Sequence, residues 1–517
     1  MKDKKVLNLI LLIFCIISTA FLPITIILNE LNFSDKESEL RLLKVQSSTC
    51  DSIPICTLNN KQHHAEICSD GEGGAIITWM DQRSGSSASD YDIYAQKLDS
   101  NGNKLWTLDG KEICLASEIQ TIPQLCPDGE GGAIITWMDR RDSGNRMDIY
   151  AQRINSSGEI EWTNNGEAIC TAAEDQMYPR ICSDGLAGAI ITWYDYRNVT
   201  HSDIYVQRID CNGTVRWFEQ GVQITRDNAY QMHPHICSDG AGGAIIVWKD
   251  ERNSINDDIY AQRVDSDGNV LWTDEGEIIC IENDYQGWLA AGGSQICSDG
   301  AGGAIITWHD KRSGYLDVYT QRIDSNGQVK WTIDGNPITL SNNEERDPKL
   351  CSIGSGGVII TWQNSSDIYA QKLDIDGNIQ WLPNNKKVCI APEYQSFPEI
   401  CSDGAGGAII TWEDHRYDYD IYAQKIDSNG QVQGSIEGAI ICVNDYDAVF
   451  PRICSDGAGE AFIVWDELRN DPYINDVFAY HTGGSSDNGD SLLILILIIL
   501  GIIVVIIIVI VIIIKLS

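Results

Sequence analysis

The chain has 517 residues, with 74 acidic and 37 basic side chains, a formal charge of −37. A hydrophobic fraction of 43% is enough for a large core and excludes disorder for the bulk of the chain. Charge this negative argues against nucleic acid and anionic lipid headgroups as partners of the soluble part.

In chain order, residues 1–30 read as a signal peptide or signal anchor. Three lysines lie in the first five positions, and an apolar run extends from Val6 to about Leu28. Ser18-Thr19-Ala20 offers small residues for cleavage, but apolar residues continue past it, so a cleaved and an uncleaved signal both remain open. Residues 31–51 form a linker, 52–481 a repeat region and 482–490 a Gly/Ser/Asp-rich stalk. Residues 491–515 hold a transmembrane helix: Leu492 to Ile514 is an uncharged run of 23 Leu, Ile, Val and Gly residues. As a helix it would span about 34 Å, the thickness of a bilayer core. Lysines at both ends favour the cytoplasm, which places the repeats outside the cell, on one or two membrane passes. The Asn-x-Ser/Thr sites at Asn32, Asn155, Asn198, Asn212 and Asn364 are glycosylation candidates in that setting.

The repeat decides the fold class. The phrase Ile-Cys-Ser-Asp-Gly-x-Gly-Gly-Ala-Ile-Ile-Thr-Trp recurs with its first Gly at 71, 129, 185, 240, 300, 354, 404 and 457. Each copy predicts four strands. Pro-x-Ile-Cys-Ser is the first, and Gly-Ala-Ile-Ile-Thr-Trp the second, covered on both faces. Asp-Ile-Tyr-Ala-Gln-Arg-Ile-Asp is the third, with Ile and Ala alternating against Tyr, Gln and Asp. A hairpin turn leads to the fourth, which carries a second Trp at 106, 162, 217, 272, 331 and 381. Such thin sheets bury both faces only by stacking in a ring, so the expected fold is all-β: an eight-bladed β-propeller. The eighth copy lacks a fourth strand, and Ser52-Ile-Pro-Ile-Cys56 matches the missing piece, which predicts closure by an N-terminal strand.

The Asp-Gly, Tyr-Ala-x-x-Asp, Gly-turn and Trp phrases resemble quinoprotein-type propellers. The Asp-Gly-x-Gly-Gly-Ala-Ile and Asp-Ile-Tyr-Ala-Gln-Arg phrases resemble more closely the uncharacterised secreted or surface propeller-repeat proteins of bacteria and archaea. The resemblance covers residues 53–480 and implies the fold. The cofactor ligands of the quinone enzymes have no counterpart here, so no catalytic residue carries over and no cofactor is expected.

The Asp-x-Arg turn, as in Asp81/Arg83, is followed by an Asp opening the third strand, as in Asp92. An Arg between two carboxylates would pin this hairpin. The Asp-x-(Asn/Asp)-Gly turns, as in Asp99 to Gly102, read as hairpins lacking the remaining ligands of a calcium loop. Cysteines recur in pairs 12 residues apart, such as Cys56 and Cys68, leaving disulfides and buried thiols both open. No metal site is expected, and the His233-x-His235 pair is not expected to bind one.

The loops joining successive copies share a Gln before Pro (Gln120, Gln176, Gln231, Gln395) and collect aromatics. Tyr178, Tyr230, Tyr285, Trp288, Tyr394, Phe397 and Tyr446 are the candidate ligand-binding residues, able to stack on sugar rings or grip a peptide. The competing reading packs these rings between blades. The expected function is a membrane-anchored extracellular binding or adhesion module, with carbohydrate or protein as partner and the bilayer engaged by the C-terminal helix. The alternatives are a glycan hydrolase or lyase using the channel, which would need a non-repeated acid and base, and an inert surface coat.

Overall fold

The computed structural model describes residues 52–83, 90–141, 144, 146–253, 257–282, 295–354, 356–383, 385–416, 418–468 and 475–483. The expected signal, linker and transmembrane segments, and most of the stalk, lie outside them. Among the described residues no helix is long and apolar enough to cross a membrane.

Each copy of the repeat folds as an up-and-down sheet. In the second copy Gln120–Pro127, Ala133–Asp139, Asp148–Ile154 and Glu167–Cys170 pair antiparallel in that order. Eight such sheets occur among the described residues, and the seventh carries two short outer strands, Val432–Gln433 and Ala439–Cys442. The first strand of each sheet packs beside the first strand of the next, and Asp447–Ser455 of the last packs beside Gln62–Ser69 of the first. The eight sheets therefore close into a propeller.

Closure uses the start of the chain. Ile53–Cys56 pairs antiparallel with Asn475–His481 and supplies the outer strand of the eighth blade. The two ends of the repeat region thus share one sheet, and no blade is left with an incomplete edge.

The second strand is buried along its whole length, as in Ala133–Asp139. The third strand differs from its expected alternation, because Asp148–Ile154 is buried at every position as well. The apparently polar face is internal and satisfied. Gln152 donates to the Thr163 carbonyl at 2.7 Å and accepts from the Arg153 and Trp162 backbone. Tyr205 stacks on Trp193 at 6.2 Å.

The second Trp is also placed differently. Trp162 lies in the turn before the short outer strand Glu167–Cys170, not on it. There it reaches the next blade: its Nε1 donates to the Cys211 carbonyl at 3.0 Å, and its ring covers Gly213. Gly213 has φ +78°, and a Cβ on it would stand 2.9 Å from that ring, so only glycine fits. Trp217 and Trp272 repeat the contact, donating to the Ser266 and Ser325 carbonyls. At the closing seam Ile53 takes the place of the Trp against Gly102.

Candidate functional site

The inner strands carry a distortion that builds the centre of the molecule. In seven of the eight, as far as the described residues show, the pairing register jumps at the Pro-x-Ile-Cys phrase, as between Met177 and Arg180. The residue preceding the Pro position has positive φ: Ile122, Tyr178, His233, Asp347, Phe397, Phe450, and His64 before Ala65. This is an unfavourable conformation before proline, costing about 1–3 kcal/mol, and at Ile122, Tyr178, Phe450 and His64 the N–H is held by the preceding blade. Tyr178 donates to the Met138 Sδ at 3.1 Å, Phe450 to Glu413 at 2.7 Å, and His64 to Asp466 at 2.8 Å.

The bulge is followed by the x of Pro-x-Ile-Cys, and x differs from blade to blade. The eight residues are Glu66, Gln124, Arg180, His235, Gln295, Lys349, Glu399 and Arg452. Most of them, with the neighbouring Ile or Leu of each strand, line one cavity of about 200 Å³. Its walls come from inner strands around the ring, so it lies on the propeller axis. Bulges are common where a side chain must be re-aimed at a site.

The charges in this ring are unevenly matched. Arg452 bridges both carboxylates, with Nε 3.1 Å from Glu66 and Nη1 3.6 Å from Glu399. Lys349 also pairs with Glu399, at 3.3 Å. Arg180 has no carboxylate within salt-bridge distance among the described residues; burial, opposed by Glu66 and reinforced by Arg452, lowers its pKa. His235 is held well below its ordinary value by burial first, then by Arg180 and Lys349, and is uncharged at neutral pH. The ring thus holds three cations and two anions, of which Arg180, Arg452, Glu66 and Glu399 line the cavity and Lys349 does not, in a chain whose overall charge is −37.

The aromatic candidates fall into separate groups. Tyr178 and Phe397 occupy the bulge position, immediately before the cavity ring, as does Phe450. Tyr178 also stacks on Tyr194 at 5.5 Å and approaches His233 at 6.3 Å, so it packs between blades as well. Tyr230 and Tyr394 are each about two-fifths exposed on blade-connecting loops. The Tyr394 hydroxyl accepts from Gln363 at 2.5 Å, and its ring meets His415 edge-on at 5.3 Å. Tyr446 is half-buried, its N–H donating to Asn444. Tyr285 and Trp288 lie outside the described residues. The loop glutamines are buried braces: Gln120 donates to the Ser117 and Glu118 carbonyls of its own loop.

The repeated polar groups are taken up by the scaffold. The Arg83 guanidinium does not lie between Asp81 and Asp92 as expected. It pairs with Asp81, sits 3.9 Å over the Tyr94 ring, and donates to the Asp109 carbonyl at 2.7 Å and to Cys56 at 3.1 Å. Asp92 faces Asp81 across the strands, and burial, then Asp90 and Asp81, raise its pKa to about 7. The Asp99 carboxylate accepts from the Asn101 and Asn103 backbone, closing its hairpin.

Every described cysteine is a free thiol. Pairs 12 residues apart fall in different layers: Cys56 packs with Cys454, and Cys68 with Cys114. Among the described residues no group of three or more His, Cys, Asp or Glu can hold a metal ion. Of the glycosylation candidates, Asn198 and Asn212 are exposed, whereas Asn155 and Asn364 are half-buried with their amides bonded to Glu161 and Glu345. Asn32 lies outside the described residues.

No protein-family model and no curated protein matches the chain. Solved structures do show likeness. A protein of unknown function from Dyadobacter fermentans is 9% identical, with 83% of this chain and 97% of that one covered and a TM-score of 0.39. A polysaccharide lyase described as an ulvan lyase is 10% identical over 74% of this chain and 98% of that one, with a TM-score of 0.45. A protein from Lactobacillus plantarum is 11% identical over 71% and 96%, with a TM-score of 0.42.

The cavity residues themselves escape the sequence reading. The repeat does hold a signal for them, since x is the one position of Pro-x-Ile-Cys whose charge class changes from copy to copy while its neighbours stay alike.

Proposed function

We propose that the chain is an extracellular, membrane-anchored binding module whose ligand enters the axial cavity from the bulge-bearing face. One observation carries this reading. The repeated polar residues serve the scaffold, whereas the ring facing the cavity is non-repeated, charged and built on strained backbone. Strain and irregularity retained in an otherwise regular fold point to function. The apolar run Leu492 to Ile514 supplies the anchor and the preceding stalk the spacing.

A glycan hydrolase is less well supported. Its acid and base would have to come from the non-repeated carboxylates, and Glu66 and Glu399 are both engaged by Arg452. The binding reading is tested by presenting the detergent-solubilised full chain to a glycan array and to immobilised cell-surface proteins. Retention of a defined ligand set, weakened by substitution at the cavity ring, is the expected result. Retention of nothing would leave the inert-coat reading in its place.

A further inference from the structure

We propose that the axial cavity is an oxyanion site that takes the carboxylate or sulfate of an acidic saccharide, with Arg180 as its principal contact. This deepens the binding-module reading and rests on it.

A guanidinium that presents five donors is rarely left in a half-enclosed cavity without a carboxylate, because desolvating a cation is costly unless something compensates. Glu66 and Glu399 are the only carboxylates of the ring, and both are committed to Arg452, with Lys349 sharing Glu399. Arg180 faces the same cavity and stays unmatched among the described residues. Its flat fork is the best match among side chains for the paired oxygens of a carboxylate or sulfate.

The neighbours suit an anion. His235 is 4% exposed and uncharged, so it can donate one N–H to an oxygen without adding to the repulsion on Arg180. Gln124, on the other flank of Arg180, also lines the cavity; its Nε2 donates one N–H to the Pro123 carbonyl at 2.9 Å and keeps a second. The cavity is small. At about 30 Å³ per water, about 200 Å³ holds roughly six waters. That suits one anionic group and its immediate attachment, not a whole oligosaccharide. Phe397 and Phe450, at the bulge just before the ring and about half exposed, offer faces on which the rest of a sugar can stack. The enclosing protein is strongly acidic, yet the cavity lining carries as many cations as anions and leaves Arg180 the one without an ion-pair partner among the described residues.

The test uses the full chain in neutral detergent, titrated with sodium sulfate, sodium glucuronate and glucose at constant ionic strength, and followed by calorimetry. Sulfate and glucuronate should bind saturably and glucose should not. Arg180→Gln should weaken both anions at least tenfold, and Arg180→Lys should retain part of the affinity. Gln124→Glu, which adds a negative charge at the same cavity, should weaken them as much, and it decides the matter if Arg180→Gln does not fold. Anions that behave like chloride, or affinities unchanged in a folded variant, would overturn the proposal. An array that retains only neutral glycans would also overturn it while leaving the binding module standing. Saturable anion binding with a blank array would support the site and remove the module.

Discussion

At the scale of single residues, the side chains divide by whether they repeat. Arg83, Asp81, Tyr94 and Cys56 form one compact knot, and their counterparts Arg141, Asp139, Tyr150 and Cys114 form it again in the next blade. Trp162 shows how the knots are joined. Replacing it with Ala removes a buried indole and the bond to the Cys211 carbonyl. The expected loss is about 3–4 kcal/mol, read as a lower urea midpoint. Trp162→Phe should lose less, because it keeps a ring over Gly213. Equal midpoints for wild type and Trp162→Ala would refute the latch between blades. The repeated residues were legible in the sequence because repetition marks them. The cavity ring was not, because within one copy x is only a half-buried strand position. Arg180 and Glu399 become one site only after the chain has closed on itself.

At the scale of elements, the propeller depends on a seam between strands far apart in sequence. The fragment Ser52 to Cys56 was legible as a missing fourth strand because the eighth copy is short by that piece. Its detailed task was not, since Ile53 replaces a Trp by position and not by likeness. Ile53→Asp would put a charge against Gly102 and beside the apolar layer formed with Phe462 and Val464. Faster hydrogen exchange should then appear in Asn475–His481 and in the first blade, with the blades opposite unchanged. Uniform exchange in wild type and variant would show that the seam does not hold the ring. The bulges were equally hidden. Proline inside a strand hints at an irregularity, but the positive φ of Tyr178 or Phe450 depends on an acceptor supplied by the neighbouring blade.

At the scale of the whole molecule, closing eight acidic blades into one ring buries carboxyl groups together. Burial is the leading cause that raises Asp92, Asp203, Asp466, Glu345 and Glu413 to about 7, and Asp258 to about 6. In the unfolded chain these groups titrate near 4. Between about pH 4 and pH 7 these carboxyls hold protons that the unfolded chain has lost, so their contribution to stability falls as pH rises through that window, while His63, His64, His233, His235, His309 and His415, all lowered chiefly by burial, contribute with the opposite sign. In the wild-type chain the two sets oppose each other between pH 5 and pH 8, and a single-site variant separates them. Asp466 is the cleanest group to probe, because it sits in the eighth blade and accepts the His64 and Ala65 N–H groups of the first. Asp466→Asn removes the titration but keeps only one of the two acceptors that hold the His64 and Ala65 N–H groups, so the melting temperature relative to wild type should be lower at pH 5 than at pH 8. The same difference from wild type at both pH values would mean that Asp466 does not change its charge in the folded chain between pH 5 and pH 8.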